Sequence, residues 1–356
     1  MAKIIGLGAW FPSNIRVNSD WSEEFTSAFG DRSKRDLVDI TSHGLYTDID
    51  DFSLQNMERE KSDPFIGSVE RRVMDPDMPA YQAEVYAGQQ AIDQAGIDPN
   101  RIGAVFSFSS ANDRVNIASA PIVAEKLGIK NALACEINGA CSSNIVQISI
   151  ATALITTGEA EFVLLVQSNI MSRGVPMGHP ASPGIGDCAT AILVGPDSGP
   201  GHRILNTYSR SHGEYWDAVI WKRKGDESQN WYEPGGGFYL GSNDPAKTRE
   251  LIQITGKAGC DTVVAALDEI GLTTNDLNFF VTMQPRKWIP VAITKLLGLK
   301  DNQTIETYEK YAHLGGCGPV VNLLEAVNNG LVKDGDIVAL YAQGAGFTRT
   351  ASIIKW

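Results

Sequence analysis

Ala91-Ile92-Asp93-Gln94-Ala95-Gly96-Ile97 runs through Asp98-Pro99-Asn100-Arg101-Ile102 into Ala104-Val105-Phe106-Ser107-Phe108. The second half of the chain repeats this pattern. There Ala266-Leu267-Asp268-Glu269-Ile270-Gly271-Leu272 leads through Thr273-Thr274-Asn275-Asp276-Leu277 into Phe279-Phe280-Val281-Thr282-Met283. Each copy reads as the end of a helix stopped by glycine, which enters the left-handed conformation without steric cost, and then a strand. The correspondence continues. Lys126-Leu127-Gly128-Ile129-Lys130 answers Leu296-Leu297-Gly298-Leu299-Lys300, and the apolar run at 161–167 answers the one at 336–343. Strands rich in Val, Ile, Leu and Phe without polar alternation imply sheets covered by helices on both faces. The expected fold is therefore α/β: two halves, 1–196 and 197–356, related by a pseudo-twofold and packed as a layered α-β-α-β-α sandwich.

Composition narrows the class. The chain has 356 residues, 43% hydrophobic and 20% charged, enough for two packed halves of a soluble protein. A formal charge of −12 argues against a binder of nucleic acid or anionic membrane, since the mean field repels polyanions. No apolar run is expected to span a membrane. Met1-Ala2-Lys3-Ile4-Ile5-Gly6 enters a strand pattern at once, without the apolar region of a signal peptide. Cys135, Cys141, Cys188, Cys260 and Cys317 contain no CxxC pair and suit a reducing cytoplasm. With no HxxxH among the histidines, neither a metal nor another cofactor is expected.

Glu136-Ile137-Asn138-Gly139-Ala140-Cys141-Ser142-Ser143 is a run of small residues between a strand pattern and a helix pattern. A cysteine in the first turn of a helix gains thiolate character from the free N–H groups and the dipole. Locally, Cys141 reads equally well as an activated nucleophile or as a packing residue. The repeat sets Gly139-Ala140-Cys141 against Gly315-Gly316-Cys317, so both central helix starts are expected to face one interior site. His313, just before the second turn, would then stand near Cys141.

Together these features resemble the thiolase superfamily, most closely the β-ketoacyl-acyl-carrier-protein synthase III group. The markers are Lys3-Ile4-Ile5-Gly6-Leu7-Gly8-Ala9-Trp10-Phe11-Pro12, Gly67-Ser68-Val69-Glu70-Arg71-Arg72, the cysteine turn at 138–143, Gly186-Asp187-Cys188-Ala189-Thr190-Ala191 and Gln343-Gly344-Ala345-Gly346-Phe347-Thr348. The resemblance implies a thiolase-like duplicated fold and acyl transfer through a thioester on Cys141. The oxyanion would be held by the main-chain N–H groups of Cys141 and Ala345, in a turn made by Gly344 and Gly346. It implies acyl-CoA or acyl carrier protein as partners, and a homodimer in which the segment from Ala111 to Ile117, including Asn116, shapes the partner's acyl pocket.

The departures from the family pattern are specific. The family histidine is replaced by Met283 in Met283-Gln284-Pro285-Arg286-Lys287-Trp288, and the family asparagine by His313. Methionine donates no hydrogen bond, so enolate stabilisation during decarboxylation falls on His313 unless Gln284 swings in. Residues near Lys61 and Phe65 supply neither the tryptophan nor the arginine that sandwich coenzyme A in the family. The stretch from about 21 to 62, with Asp48, Asp50, Asp51 and Ser53, reads as an acidic surface insertion. Arg286, Lys287 and Lys222-Arg223-Lys224 are candidates for a phosphopantetheine phosphate or an acidic carrier, or else ordinary solvated charge. Trp216, Trp221 and Trp231 would line the acyl tunnel or anchor a surface loop, and His179 or His212 would replace the missing histidine spatially. The expected activity is acyl transfer from Cys141 to a malonyl-type thioester or another nucleophile in specialised metabolism. A non-catalytic subunit of a heterodimeric synthase and a thioester hydrolase are the alternatives. Cys317 is the rival nucleophile.

Overall fold

The computed structural model describes residues 1–30, 37–40, 45–223 and 237–356, without the side chains of 29 and 30. Lys224, Trp231 and Pro234-Gly235-Gly236 lie outside the described residues.

Nine strands form one ladder. Their spatial order is Phe279–Thr282, Ile337–Gly344, Thr348–Lys355, His202–Ser211, Ala2–Trp10, Cys188–Pro196, Phe162–Asn169, Ile102–Ser109 and Leu133–Glu136. Numbered within its half, the first set runs 1-5-4-2-3 outward from Ala2–Trp10. The second set runs 1-5-4-2 outward from His202–Ser211, its third strand reduced to a bridge between Phe280 and Thr304. The same topology is thus built twice. The halves join where Ala2, Lys3 and Ile4 pair antiparallel with Ile204, Arg203 and His202.

The helices complete the layers. Ala80–Ala95 and Ala120–Lys126 cover the first set of strands, and Pro245–Asp268 and Ile289–Leu296 cover the second. Between the sets lie the central helices Ser143–Thr157 and Gly318–Asn328, each packed on strands of both halves. Ile145, Ile148 and Ala151 from one meet Val320, Leu323 and Ala326 from the other in a shared core. Each large aliphatic side chain buried there contributes about 1.5–3 kcal/mol. Double coverage also explains a departure from expectation: Ala140–Thr157 is long and apolar enough to cross a membrane by length and composition. A helix wrapped between two sheets needs apolar residues all round.

The stretch from 21 to 62 differs from the surface insertion expected. Asp50 caps the helix Asp51–Glu60, accepting from Ser53 N at 2.8 Å, and Ser53 is buried. Val38 exchanges two hydrogen bonds with the Gln253 side chain, at 2.8 and 2.9 Å, and Asp48 pairs with Lys257. Ile40, Leu45, Tyr46 and Ile49 share a core with Leu251, Ile254, Ala258 and Phe347. Asp50 caps and Asp48 pairs, while the apolar residues beside them dock.

Candidate active site

Cys141 sits in the single turn Ala140–Ser142 that opens the helix Ser143–Thr157. Gly139 N donates to Ser143 Oγ at 2.9 Å, and Ser142 Oγ donates back to Gly139 O at 2.6 Å. Ala140 N is held by Asn138 Oδ1 at 3.0 Å. This bonding sustains a left-handed φ of 50° at Ala140, immediately before the cysteine. A non-glycine residue so placed stores about 1–3 kcal/mol of strain, and the surroundings must over-determine it.

The second arm is built alike. Ala312 has φ 54° immediately before His313, and Gly315–Cys317 opens the helix Gly318–Asn328. The first half holds this arm. His313 N donates to Gly184 O at 3.0 Å, and Gly186 N donates to His313 O at 3.1 Å. Asn169 Nδ2 donates to Gly186 O at 2.7 Å and reaches His313 O at 3.5 Å. A Cβ on Gly186 would lie 2.0 Å from Tyr311 O, so only glycine lets the arm approach this closely. The result places His313 Nε2 3.8 Å from Cys141 Sγ.

The third piece is the turn after the strand Ile337–Gly344. Gly344 lies against the cysteine turn, where an added Cβ would stand 1.9 Å from Gly139 O. Gly346 has φ 74°. The segment carrying Ala345 N therefore abuts the segment carrying Cys141 N.

Both side chains rest uncharged at neutral pH. Burial, reinforced by nearby Cys317, pushes the Cys141 thiol up to about 12, against an opposing contribution from its own main-chain N–H. Thiolate character at the helix start was the expectation; desolvation outweighs it. Burial and the Arg286 guanidinium push His313 down to about 4, opposed by the Gln284 main chain. The imidazole is thus a free base at neutral pH. Cys317 is buried and donates to Gln167 O at 3.4 Å, which packs the rival thiol into the core.

The other expected site residues fall into three groups. Met283 is buried in the mid-layer core against which Cys141 packs. Gln284 does not swing in: its amide donates to Ile305 O at 2.8 Å and accepts from Thr307 N at 2.9 Å, so it is committed to holding that segment. Arg286 is tied to Glu60 at 3.3 Å, and Lys287 to Glu309. Lys287, Glu60, Asp63, Gly67 and Trp288 line a cavity of about 430 Å³ whose charge is mixed, not basic. Asn116 is exposed on its loop in the single chain. His179 accepts from Ala181 N and His212 contacts Arg349, so the histidine at the cysteine is His313. Trp216 and Trp221 are 63% and 40% exposed and anchor surface structure, Trp221 lying against Gly174. Sequence reasoning missed Asn169, the last residue of the strand Phe162–Asn169, and Arg349, the second residue of the strand Thr348–Lys355.

Comparison with known proteins bears on the fold and the family likeness. The family model described as 3-oxoacyl-[acyl-carrier-protein] synthase III matches residues 135–213, and its C-terminal companion matches 267–356. β-Ketoacyl-[acyl-carrier-protein] synthase III 1 of Vibrio vulnificus (strain YJ016) is 26% identical over 362 residues, covering 100% of this chain and 99% of the relative. The synthase III of Clostridium perfringens (strain SM101) is 26% identical over 332 residues, covering 89% and 98%. The crystal structure of 3-oxoacyl-(acyl carrier protein) synthase III from Pseudomonas aeruginosa PAO1 superposes with a TM-score of 0.78 at 20% identity, covering 100% and 98%. An OleA variant from Xanthomonas campestris gives 0.77 at 21% identity, covering 100% and 96%. With the family's two models matched in order at 135–213 and 267–356, and relatives and solved structures aligned over the whole chain, this protein is similar to the 3-oxoacyl-[acyl-carrier-protein] synthase III group and shares its fold.

Proposed function

We propose that this protein is an acyltransferase of the condensing type, which loads an acyl group on Cys141 and passes it to a malonyl-type thioester or another nucleophile. The observation that carries this reading is the 3.8 Å approach of the Cys141 thiol to a neutral His313, beside a glycine turn that offers a second main-chain donor. Cys141 Sγ attacks the thioester carbonyl while its proton passes to His313 Nε2. The N–H groups of Cys141 and Ala345 take the developing negative charge, a contribution worth about 2.7–4 kcal/mol per donor in comparable sites. The tetrahedral intermediate then expels the donor's thiolate, which recovers the proton from His313. His313 is also the side chain available to an enolate, because Met283 cannot donate.

The donor class is a coenzyme A or acyl-carrier thioester, as the names of the relatives suggest. An OleA structure holds lauric acid and lauroyl-CoA, which makes lauroyl-CoA a useful probe beside acetyl-CoA. Val115 and Ile117 are 77% and 48% exposed on the loop that carries Asn116. Leu133, 57% exposed, begins the outermost strand. A second copy of the chain covering these residues is the reading we adopt, with the five free thiols suiting a reducing cytoplasm.

The test is intact-protein mass spectrometry after incubation with acetyl-CoA, lauroyl-CoA and their acyl-carrier counterparts. The expected result is an acyl adduct lost in Cys141→Ala. No adduct with any donor overturns the reading, and an adduct that survives the substitution moves the nucleophile to another residue. Light scattering on the purified protein checks the dimer.

A further inference from the structure

The turn that carries Ala345 is gripped by residues with no part in the steps above. Phe347, with φ 53°, is buried, its ring edge-on to Tyr215 at 5.2 Å and tilted against His212 at 5.6 Å. Its carbonyl accepts from His212 N at 3.2 Å. Two residues on, Arg349 is 9% exposed, its guanidinium 5.5 Å from the centre of the Phe347 ring. Arg349 Nη1 donates to the Tyr46 phenolic Oη at 3.0 Å and to Ala258 O at 3.2 Å, and Nη2 lies 2.7 Å from His212 Nε2. Tyr46 OH in turn donates to Asp261 Oδ2 at 2.8 Å.

An arginine does not give up its proton, so Nη2 must donate and His212 Nε2 must accept. His212 is therefore neutral in this arrangement, with its proton on Nδ1, 3.5 Å from Glu214 Oε1. We propose that Arg349, held between Tyr46 and neutral His212, is a positioning residue that fixes the Gly344–Phe347 turn and so aims Ala345 N–H at the oxyanion. The segment around Tyr46 has a task by this account: it braces that turn through the guanidinium. The proposal rests on the acyl-transfer reading of Cys141.

A pH dependence follows. The groups facing His212 are Glu214 on its own turn, Arg349 from the neighbouring strand and, beyond Arg349, Tyr46 and Asp261; Tyr215 with Glu250 completes the wall. Burial and Arg349 hold its pKa below the ordinary histidine value, with Glu214 pulling the other way. Protonation puts a second cation against the guanidinium and releases the grip on the acid side.

The experiment follows single-turnover acylation of Cys141 by lauroyl-CoA or acetyl-CoA, whichever loads the wild type, across pH. Alkylation of the same thiol by iodoacetamide is the control, because that reaction develops no oxyanion. Arg349→Met is expected to slow acylation at least about tenfold while alkylation keeps the wild-type rate, and Arg349→Lys to recover part of the loss. Tyr46→Phe is expected to show a smaller loss of the same kind. His212→Gln keeps an acceptor that cannot be protonated, so it should match the wild type above neutrality and lose the wild type's acid fall. Arg349→Met acylating at the wild-type rate, or losing alkylation in parallel, overturns the proposal while leaving Cys141 chemistry standing. An unchanged acid fall in His212→Gln overturns the part given to His212. A wild type that takes no acyl group from any donor overturns the acyl-transfer reading itself, and this proposal with it.

Discussion

Cys141 Sγ and His313 Nε2 stand 3.8 Å apart although 172 residues separate them in the chain. Each is carried at the opening of a central helix, behind an alanine with left-handed φ. The repeated architecture makes the pair: the helix-opening turns of the two halves bring different side chains to one place.

With His313 uncharged down to about 4 and Cys141 protonated up to about 12, the wild-type acylation rate should be level from neutral pH upward, because the base travels with the nucleophile. His313→Ala should lower the neutral rate by about 10²–10⁴-fold. It should also convert the level profile into a rise of about tenfold per pH unit, since only thiolate then reacts. Rapid-quench acylation against pH decides it. A level profile in the alanine variant removes His313 from the role of base.

Arg286 is the charge that, after burial, holds His313 low. Replacing it with glutamine should raise the His313 pKa, so the acid limit of acylation moves to higher pH. The measurement belongs in the His212→Gln background, where, among the described residues, His313 is the histidine left to titrate beside Cys141. Glu60 loses its ion pair with Arg286 in this variant, so Glu60→Gln should be combined with it. An acid limit that stays put or moves down rules out this electrostatic role.

Two glycines of the last turn make opposite demands. Gly344→Ala drives a Cβ to 1.9 Å from Gly139 O, a main-chain atom that cannot yield without moving the cysteine turn. Acylation should fall about 10²–10³-fold in a protein that still folds by circular dichroism. At Gly346 an added Cβ meets nothing within 4 Å, and only its φ of 74° resists. Gly346→Ala should therefore cost about 1–2 kcal/mol in thermal unfolding with a far smaller loss of rate. Equal losses of rate at both positions would falsify the close-approach argument.

Glu84 provides a stability test remote from the site. It is fully buried, accepts from Ser168 Oγ at 2.7 Å, and burial pushes its carboxyl up to about 7, assisted by Asp113 and Glu136. Its folded pKa exceeds the ordinary 4.5. The folded state therefore holds the extra proton between those values, and that stability is lost as pH rises through about 7. Glu84→Gln should raise the melting temperature at pH above that value and change it little in acid, an effect on the order of 3 kcal/mol at most. A melting curve with the same pH slope in both proteins rejects it.

Much of the architecture was legible in sequence because its signals are local. The apolar strands, the glycine stops at Gly96 and Gly271 and the small residues around Cys141 each answer to backbone geometry and burial within a few residues. Repetition of their order implied the layers. The stretch from 21 to 62 misled because its composition is acidic while its packing is not. Asp50 caps a helix and Asp48 pairs with Lys257, and Ile40, Leu45, Tyr46 and Ile49 dock on Leu251, Ile254 and Ala258 of the helix Pro245–Asp268. Gln284 looked free for catalysis because its two main-chain partners come from 305–307, which no spacing rule connects to it.

By itself the sequence determined that the chain folds as a duplicated α/β protein, and that Cys141, His313 and a glycine-rich turn belong to one site. Periodicity and glycine placement are short-range properties, and a repeated order of them carries topology. Only the tertiary structure decided the charge states and the supports. Whether Cys141 rests as thiol or thiolate depends on how much water burial removes against what the helix start offers. The company of the Ala345 turn is likewise decided by two distant segments that bring Tyr46 and His212 within hydrogen-bond reach of Arg349. Desolvation and long-range contact are summed over the whole fold, and no local pattern of residues encodes them.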